Sequence, residues 1–303
     1  MAGGRSGNIA SWFGSSRNVG SDRARWLLVR MLVTATVAEY RAHKELLANL
    51  TLRELRSRYK RSFLGWAWST VNPLVYMGVY TIVFKYFFHA NPKPGSPSGL
   101  HVYALFLLCA MLPFNFFQSS VMGSLSSLTG NANLIKKTYF PRELLPASTV
   151  LSNLVSHAIE MSLLLVALLA FGNWRALVFL PVTVFLILVL AVFALGLGLA
   201  MSALNVYFRD IEHFLGIFFL VWFFLTPIVY SFDTLGSAGK PWVKDLLKAN
   251  PMTEAALSFR ATLYDGTHPG WFQLLYFVVW AVGMFSVGRM IFNRLEGGLA
   301  EEL

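Results

Sequence analysis

Six stretches of this chain are apolar for about the length of a membrane crossing, and that feature removes most folds from consideration. A hydrocarbon core about 30 Å thick takes about 20 residues of α-helix. A helix also satisfies its own backbone hydrogen bonds where no water can. The stretches are 69–88, 102–122, 144–171, 176–204, 214–232 and 271–292. The first contains Pro73, the fifth has Pro227 near its end, and the fourth is long enough to tilt or to project beyond the bilayer. Only 13% of the 303 residues are charged, against about a quarter in a soluble domain. The expectation is an all-α membrane protein with six transmembrane helices.

Charge sets the orientation. An even number of spans puts both termini on one side. With the termini inside, the cytoplasmic segments hold 18 of the 25 Lys and Arg residues, as the positive-inside rule asks. The organisation then reads as a flexible basic tail over 1–45, an interface helix over 46–68, the membrane domain over 69–292 and a cytoplasmic C-terminus over 293–303. The first thirty residues, rich in Gly, Ser and Arg, lack the apolar core and cleavage site of a signal peptide.

Residues 46–68, LLANLTLRELRSRYKRSFLGWAW, are basic and amphipathic. Leu46, Leu50, Leu55, Tyr59 and Phe63 recur at roughly helical spacing among Arg53, Arg56, Arg58, Lys60 and Arg61. Such a helix lies in the membrane interface. The loop 130–146, GNANLIKKTYFPRELLP, carries Leu134, Ile135, Tyr139 and Phe140 beside Lys136, Lys137 and Arg142. By itself it reads as an ordinary basic loop or as a docking helix. Two such elements on one side favour docking to a cytoplasmic protein.

Enzymatic motifs are missing. Gly239-Lys240 lacks the glycine spacing of a phosphate loop, and no HExxH pair or Ser/His/Asp arrangement occurs. Cys109 is the sole cysteine, so no disulfide or Cys/His metal cluster forms within the chain. No catalytic residue, no metal site and no cofactor of its own is expected. The net charge of +10 sits beside apolar spans, which points to membrane lipids and not to nucleic acid.

At these residues the chain resembles permeases of the ABC-2 polysaccharide exporters. RSRYKRSFLGWAWSTVNPL at 56–74 is similar to their first membrane approach, and NLIKKTYFPRELLPAS at 133–148 to their coupling loop. LNVYFRDIEHF at 204–214 and LTPIVYS at 225–231 resemble their turn into span five and its end. NPMTEAALSFRATLYDG at 250–266 resembles their outer gate. The resemblance implies a homodimer in the cytoplasmic (inner) membrane with two copies of a separate ABC ATPase, which would hold ATP and magnesium. The passenger would be a lipid-linked glycan of O-antigen, teichoic acid or cell-wall galactan type. ATPase coupling would fall to Arg53, Arg56, Arg58, Tyr59, Lys60, Leu134, Lys136, Lys137, Tyr139, Phe140 and Arg142. Short outer gate helices between spans five and six would include Asn250, Pro251 and Arg260. Export of a drug or simple lipid, or gradient-driven transport, are the other readings of such a chain.

Aromatic residues make up 15% of the sequence. Tyr80, Phe84, Phe106, Phe114, Phe117, Phe218, Trp222, Phe223 and Tyr230 are candidates for a channel lining on which sugars stack, or are packing residues and interface anchors. His157 and Glu160 share one face of span three as a channel-lining polar pair or an interhelical hydrogen bond. Trp66 and Trp68, at the corner into span one, are candidates for the substrate entrance. Arg209, Asp210 and Glu212 read as a salt-bridge network at the turn between spans four and five.

Overall fold

The computed structural model describes residues 43–59, 68–87, 94–138, 140–231, 245 and 247–302, and among them every regular element is helical. Helix α1 is Lys44–Tyr59 and α2 is Trp68–Tyr80, which runs on as a π-helical turn over Thr81–Phe87. Next come α3 (Tyr103–Leu125), α4 (Ala132–Lys137), α5 (Leu144–Ala170), α6 (Arg175–Val178) and α7 (Leu180–Tyr207). The last are α8 (Ile211–Leu225), α9 (Pro251–Arg260), α10 (Trp271–Leu295) and α11 (Leu299–Glu302).

Among the described residues, four helical segments are long and apolar enough to cross a membrane: Tyr103–Leu125, Leu144–Ala170, Leu180–Tyr207 and Trp271–Gly298. Of two shorter apolar helices among the described residues, Leu74–Val83 falls within the first expected stretch, and Ile211–Leu225 overlaps the fifth but starts before it. The fourth expected stretch is not one helix. It breaks at Phe179 into α6 and α7, and a proline in the first turn of α7 marks the new start, because its locked φ suits a helix opening and its missing N–H is not needed there.

Helix α3 is the hub. It packs against α5, α7 and α9, and 78% of its apolar window is buried. Helices α7 and α10 approach at backbone distance. A side chain at Gly288 would collide with the Gly196 carbonyl, and one at Gly196 would lie 2.5 Å from the Phe285 backbone. Small residues that allow such an approach are the usual means of helix association in lipid.

Helix α8 ends early for a local reason. Thr226 precedes Pro227, which disfavours helical backbone, and it is extended at φ −101°, ψ 133°. At 15 residues the helix is about 22 Å long, short of a full crossing. Helix α9 starts on a built cap: the Asn250 side chain accepts from Met252 N at 3.0 Å, with Pro251 in the first turn. It continues as a π-helical turn, Ala261–Asp265, and stops at Gly266, whose φ of +70° favours glycine. A Cβ there would also meet Arg175 Cβ at 2.6 Å. The outer gate helix expected around Asn250, Pro251 and Arg260 is therefore a short helix whose residues are almost all buried.

Candidate functional site

A groove of about 690 Å³ opens between α2, α3, α5 and α8. Its walls are Trp68, Tyr76 and Tyr80 from α2, Met111, Asn115, Gln118 and Ser119 from α3, Glu160 from α5, and Gly216, Phe219, Leu220 and Phe223 from α8. Helix α3 explains the polar side. Asn115, Gln118 and Ser119 share one helical face at i, i+3 and i+4, and they are among the few residues of that helix left unburied. Tyr80 and Phe223 stack across the groove with ring centroids 5.7 Å apart. The site thus offers aromatic faces on one side and uncharged hydrogen-bonding groups on the other.

The sequence-derived lining candidates divide. Tyr80, Glu160, Phe223 and the entrance candidate Trp68 line the groove. Phe106, Phe114 and Phe117 do not, and are buried. Phe114 and Phe117 form an aromatic cluster behind it with Phe193, Phe219 and Trp222. His157 is 1% exposed and stacked on Phe116 at 4.8 Å. Its Nδ1 lies 3.8 Å from Glu160 Oε2, so the pair bridges core and groove. Trp222 donates its indole N–H to Asn250 Oδ1 at 2.7 Å. Phe218 is outside the groove and partly exposed, while the Tyr230 hydroxyl donates to Phe224 O at 3.0 Å. The side chain of Phe84, and Trp66 as a whole, lie outside the described residues. Asn115, Gln118 and Ser119 escaped the sequence reading, although three polar residues on one face of an apolar span were the available signal.

At one end of the bundle, Arg260 holds the non-helical chain after α8. It is 4% exposed. Its guanidinium donates to the carbonyls of Pro227 and Ile228, and at longer range to those of Tyr230 and Phe106. It also lies 3.7 Å from the centre of the Phe106 ring. Tyr103 donates to Val229 O at 2.7 Å, and Asn250 Nδ2 to Thr226 Oγ1 at 3.1 Å. Backbone that leaves the helix at membrane depth needs such partners. Burial pushes the Arg260 pKa down to about 10, so at neutral pH it keeps its charge. Burial also raises the Glu254 and Asp265 carboxyls above their usual range.

The opposite end carries the basic elements. Helix α4 spans six residues of the loop 130–146, and the chain turns extended at Thr138. Lys136 and Lys137 are exposed, Leu134 is half-buried and Phe140 is buried. Arg53 is exposed and donates to Asn131 Oδ1 at 2.5 Å, joining α1 to the turn before α4. Arg56 is also exposed. Arg142 faces inward and donates to Glu296 O at 2.6 Å. The side chains of Arg58 and Tyr59, and residues Lys60 and Tyr139, lie outside the described residues. Glu143 and Arg289, both buried, face each other at 3.7 Å. Tyr207 donates to Leu295 O at 3.0 Å. This brace was missed in the sequence, although Arg289 lies near the end of an apolar span, where a charge usually has a partner. Arg209, Asp210 and Glu212 are exposed, and among the described residues no ion pair joins them, in place of the salt-bridge network expected there. No group of His, Cys, Asp and Glu among the described residues is placed to hold a metal.

The comparisons with known proteins agree with this architecture. The family described as ABC-2 type transporter matches residues 45–264. The O-antigen export system permease protein RfbA of Myxococcus xanthus is 31% identical, over 88% of this chain and 98% of its own length. The protein of that name from Klebsiella pneumoniae is 31% identical over 86% of this chain and 95% of its own length. The polysialic acid transport protein KpsM of Escherichia coli is 24% identical over 82% and 92%.

Proposed function

This chain belongs to the ABC-2 type transporter family, and from that premise we propose that it is the membrane permease subunit of an ATP-driven exporter of a lipid-linked polysaccharide. It acts as a homodimer in the cytoplasmic membrane, with six crossings and both termini inside. Two copies of a separate ABC ATPase hold the ATP and magnesium. The observation that carries this reading is the groove. Its rings, Trp68, Tyr76, Tyr80 and Phe223, suit the C–H faces of sugars, and Asn115, Gln118 and Ser119 suit their hydroxyls.

The mechanism follows from the two ends. The interface helix 46–68 and α4 receive the motion of the ATPases. Lys136 and Lys137 are exposed for that contact. The brace from Arg142 and Glu143 to Glu296 and Arg289 passes the motion to α10 and to the start of α5. Two grooves facing one another form the channel, with Trp68 at its inner mouth. At the outer end, Arg260 with Asn250 and Pro251 fixes the short helix that closes it. The rings offer shallow, repeated contacts, so a long glycan slides without a deep binding well.

The test is depletion together with copurification. On depletion an undecorated lipid-linked glycan collects inside the cell, and the purified chain brings an ATPase with it and hydrolyses ATP only in that complex. Normal surface glycan after depletion would defeat the polysaccharide reading and leave a drug or simple lipid as passenger. Transport without any ATPase would support a gradient-driven mechanism.

A further inference from the structure

The groove also constrains the charge of its passenger, an inference that rests on the glycan-export reading above. Its polar wall consists of Tyr76, Tyr80, Asn115, Gln118, Ser119 and Glu160. None of the described lining residues is basic. The sequence extends that observation over three of the stretches that build the groove: no Lys or Arg occurs in 102–125, 144–170 or 211–231, and in the first, 69–88, the one cation is Lys85, past the lining residues Tyr76 and Tyr80 and with its side chain outside the described residues. Of the two histidines there, His157 is buried against Phe116 on the core side of Glu160. His213 stands in the first turn of α8, outside the lining.

An anionic sugar entering such a site leaves water without meeting a cation among the described lining residues, which is costly in a low-dielectric setting. The one acidic residue on the wall is Glu160, and two carboxylates brought close repel. Uncharged sugars meet neither obstacle. Their hydroxyls find amide, hydroxyl and carboxyl partners, and their C–H faces find rings. We propose that the repeat units moved by this chain are uncharged, and that Glu160 acts as a specificity-determining residue that rejects sugars bearing carboxylate, sulfate or phosphodiester groups.

Two measurements test this. In cells depleted of the chain, the accumulated lipid-linked glycan is cleaved from its carrier with mild acid and passed over an anion exchanger. It is expected in the flow-through. Retention on the column overturns the proposal and leaves glycan export standing, whereas no accumulated glycan of any kind overturns the export reading and this inference with it. The second measurement uses the purified complex with its ATPase in nanodiscs. ATP hydrolysis is followed with the native lipid-linked glycan, and with the same glycan after its primary hydroxyls are oxidised to carboxylates. The oxidised form is expected to stimulate at least about tenfold less. In Glu160→Gln that gap is expected to shrink to about threefold or less. Equal stimulation of the wild-type complex, or an unchanged gap in Glu160→Gln, overturns the role given to Glu160.

Discussion

Glu143 and Arg289 meet at 3.7 Å with both side chains buried, and they tie the loop after α4 to the last turns of α10. Removing one partner of a buried ion pair takes an opposite charge away from the other, at a cost of up to about 3–5 kcal/mol. Arg289→Met and Glu143→Gln are therefore expected to lower the melting temperature of the purified chain. In the assembled complex they uncouple: ATP hydrolysis continues while export falls. The exchanged pair Glu143→Arg with Arg289→Glu recovers part of both. Wild-type stability and export in both single variants would contradict the brace.

Arg260 satisfies the carbonyls of Pro227 and Ile228, which no helix serves. Arg260→Met leaves those acceptors buried and unpaired, at about 1–3 kcal/mol each. Loss of export with retained ATPase binding is expected, since the site lies at the end of the bundle away from α4. Arg260→Lys keeps the charge but not the planar fork of donors, so only partial recovery is expected. Cysteine accessibility at Ser231, compared between wild type and Arg260→Met, reads directly whether the segment after α8 has come loose.

Exposure separates the coupling residues into two groups. Lys136 and Lys137 are exposed, whereas Phe140 is buried and Arg142 is engaged with Glu296. Lys136→Glu with Lys137→Glu is expected to weaken copurification of the ATPase by about tenfold, with the melting temperature of the free chain unchanged. Phe140→Ala is expected to do the reverse, costing about 3–5 kcal/mol of stability as a core truncation. Pull-down and thermal denaturation on the same variants distinguish the two.

In the groove, Tyr80→Ala removes a ring that stacks on Phe223, a contact of about 0.5–1.5 kcal/mol. A fall in export of about three- to tenfold is expected, with ATPase assembly intact. Asn115→Leu is expected to act in the same direction by removing a hydrogen-bonding group. Phe114→Leu, behind the groove, is expected to change stability more than export. Radiolabelled glycan reaching the cell surface, normalised to permease abundance, is the measurement.

Gly288 admits no side chain because the Gly196 carbonyl occupies the space. Gly288→Ala forces α7 and α10 apart, and overpacking of this kind costs about 1–3 kcal/mol or more. A clear drop in melting temperature is expected. Gly283→Ala on the same helix has open space at that position and is expected to be neutral.

Much of the molecule is legible in the chain without its structure. Apolar length locates the helices at 103–125, 144–170 and 271–295 to within a few residues, because that signal is local and periodic. Asn250-Pro251 announces the start of α9, and Thr226-Pro227 the end of α8, because capping and proline geometry act over two or three residues. The aromatic lining was only half legible. Phe114 and Phe117 have the same local sequence character as Phe223, and what separates them is which face of each helix its neighbours cover.

The sequence by itself determined that this is a helical membrane protein, where three of its long helices lie to within a few residues, and which segments are basic. Those properties follow from hydropathy, charge and backbone chemistry, which need no distant partner. Tertiary structure alone decided that Asn115, Gln118 and Ser119 share a groove with Tyr80 and Glu160, that Arg142 turns inward to Glu296 while Lys136 stays outside, and that Arg260 serves carbonyls more than thirty residues away. Each of these joins residues remote in sequence. The physical reason is that burial and hydrogen-bond satisfaction belong to the packed bundle, and no local window of the chain encodes which neighbour will supply them.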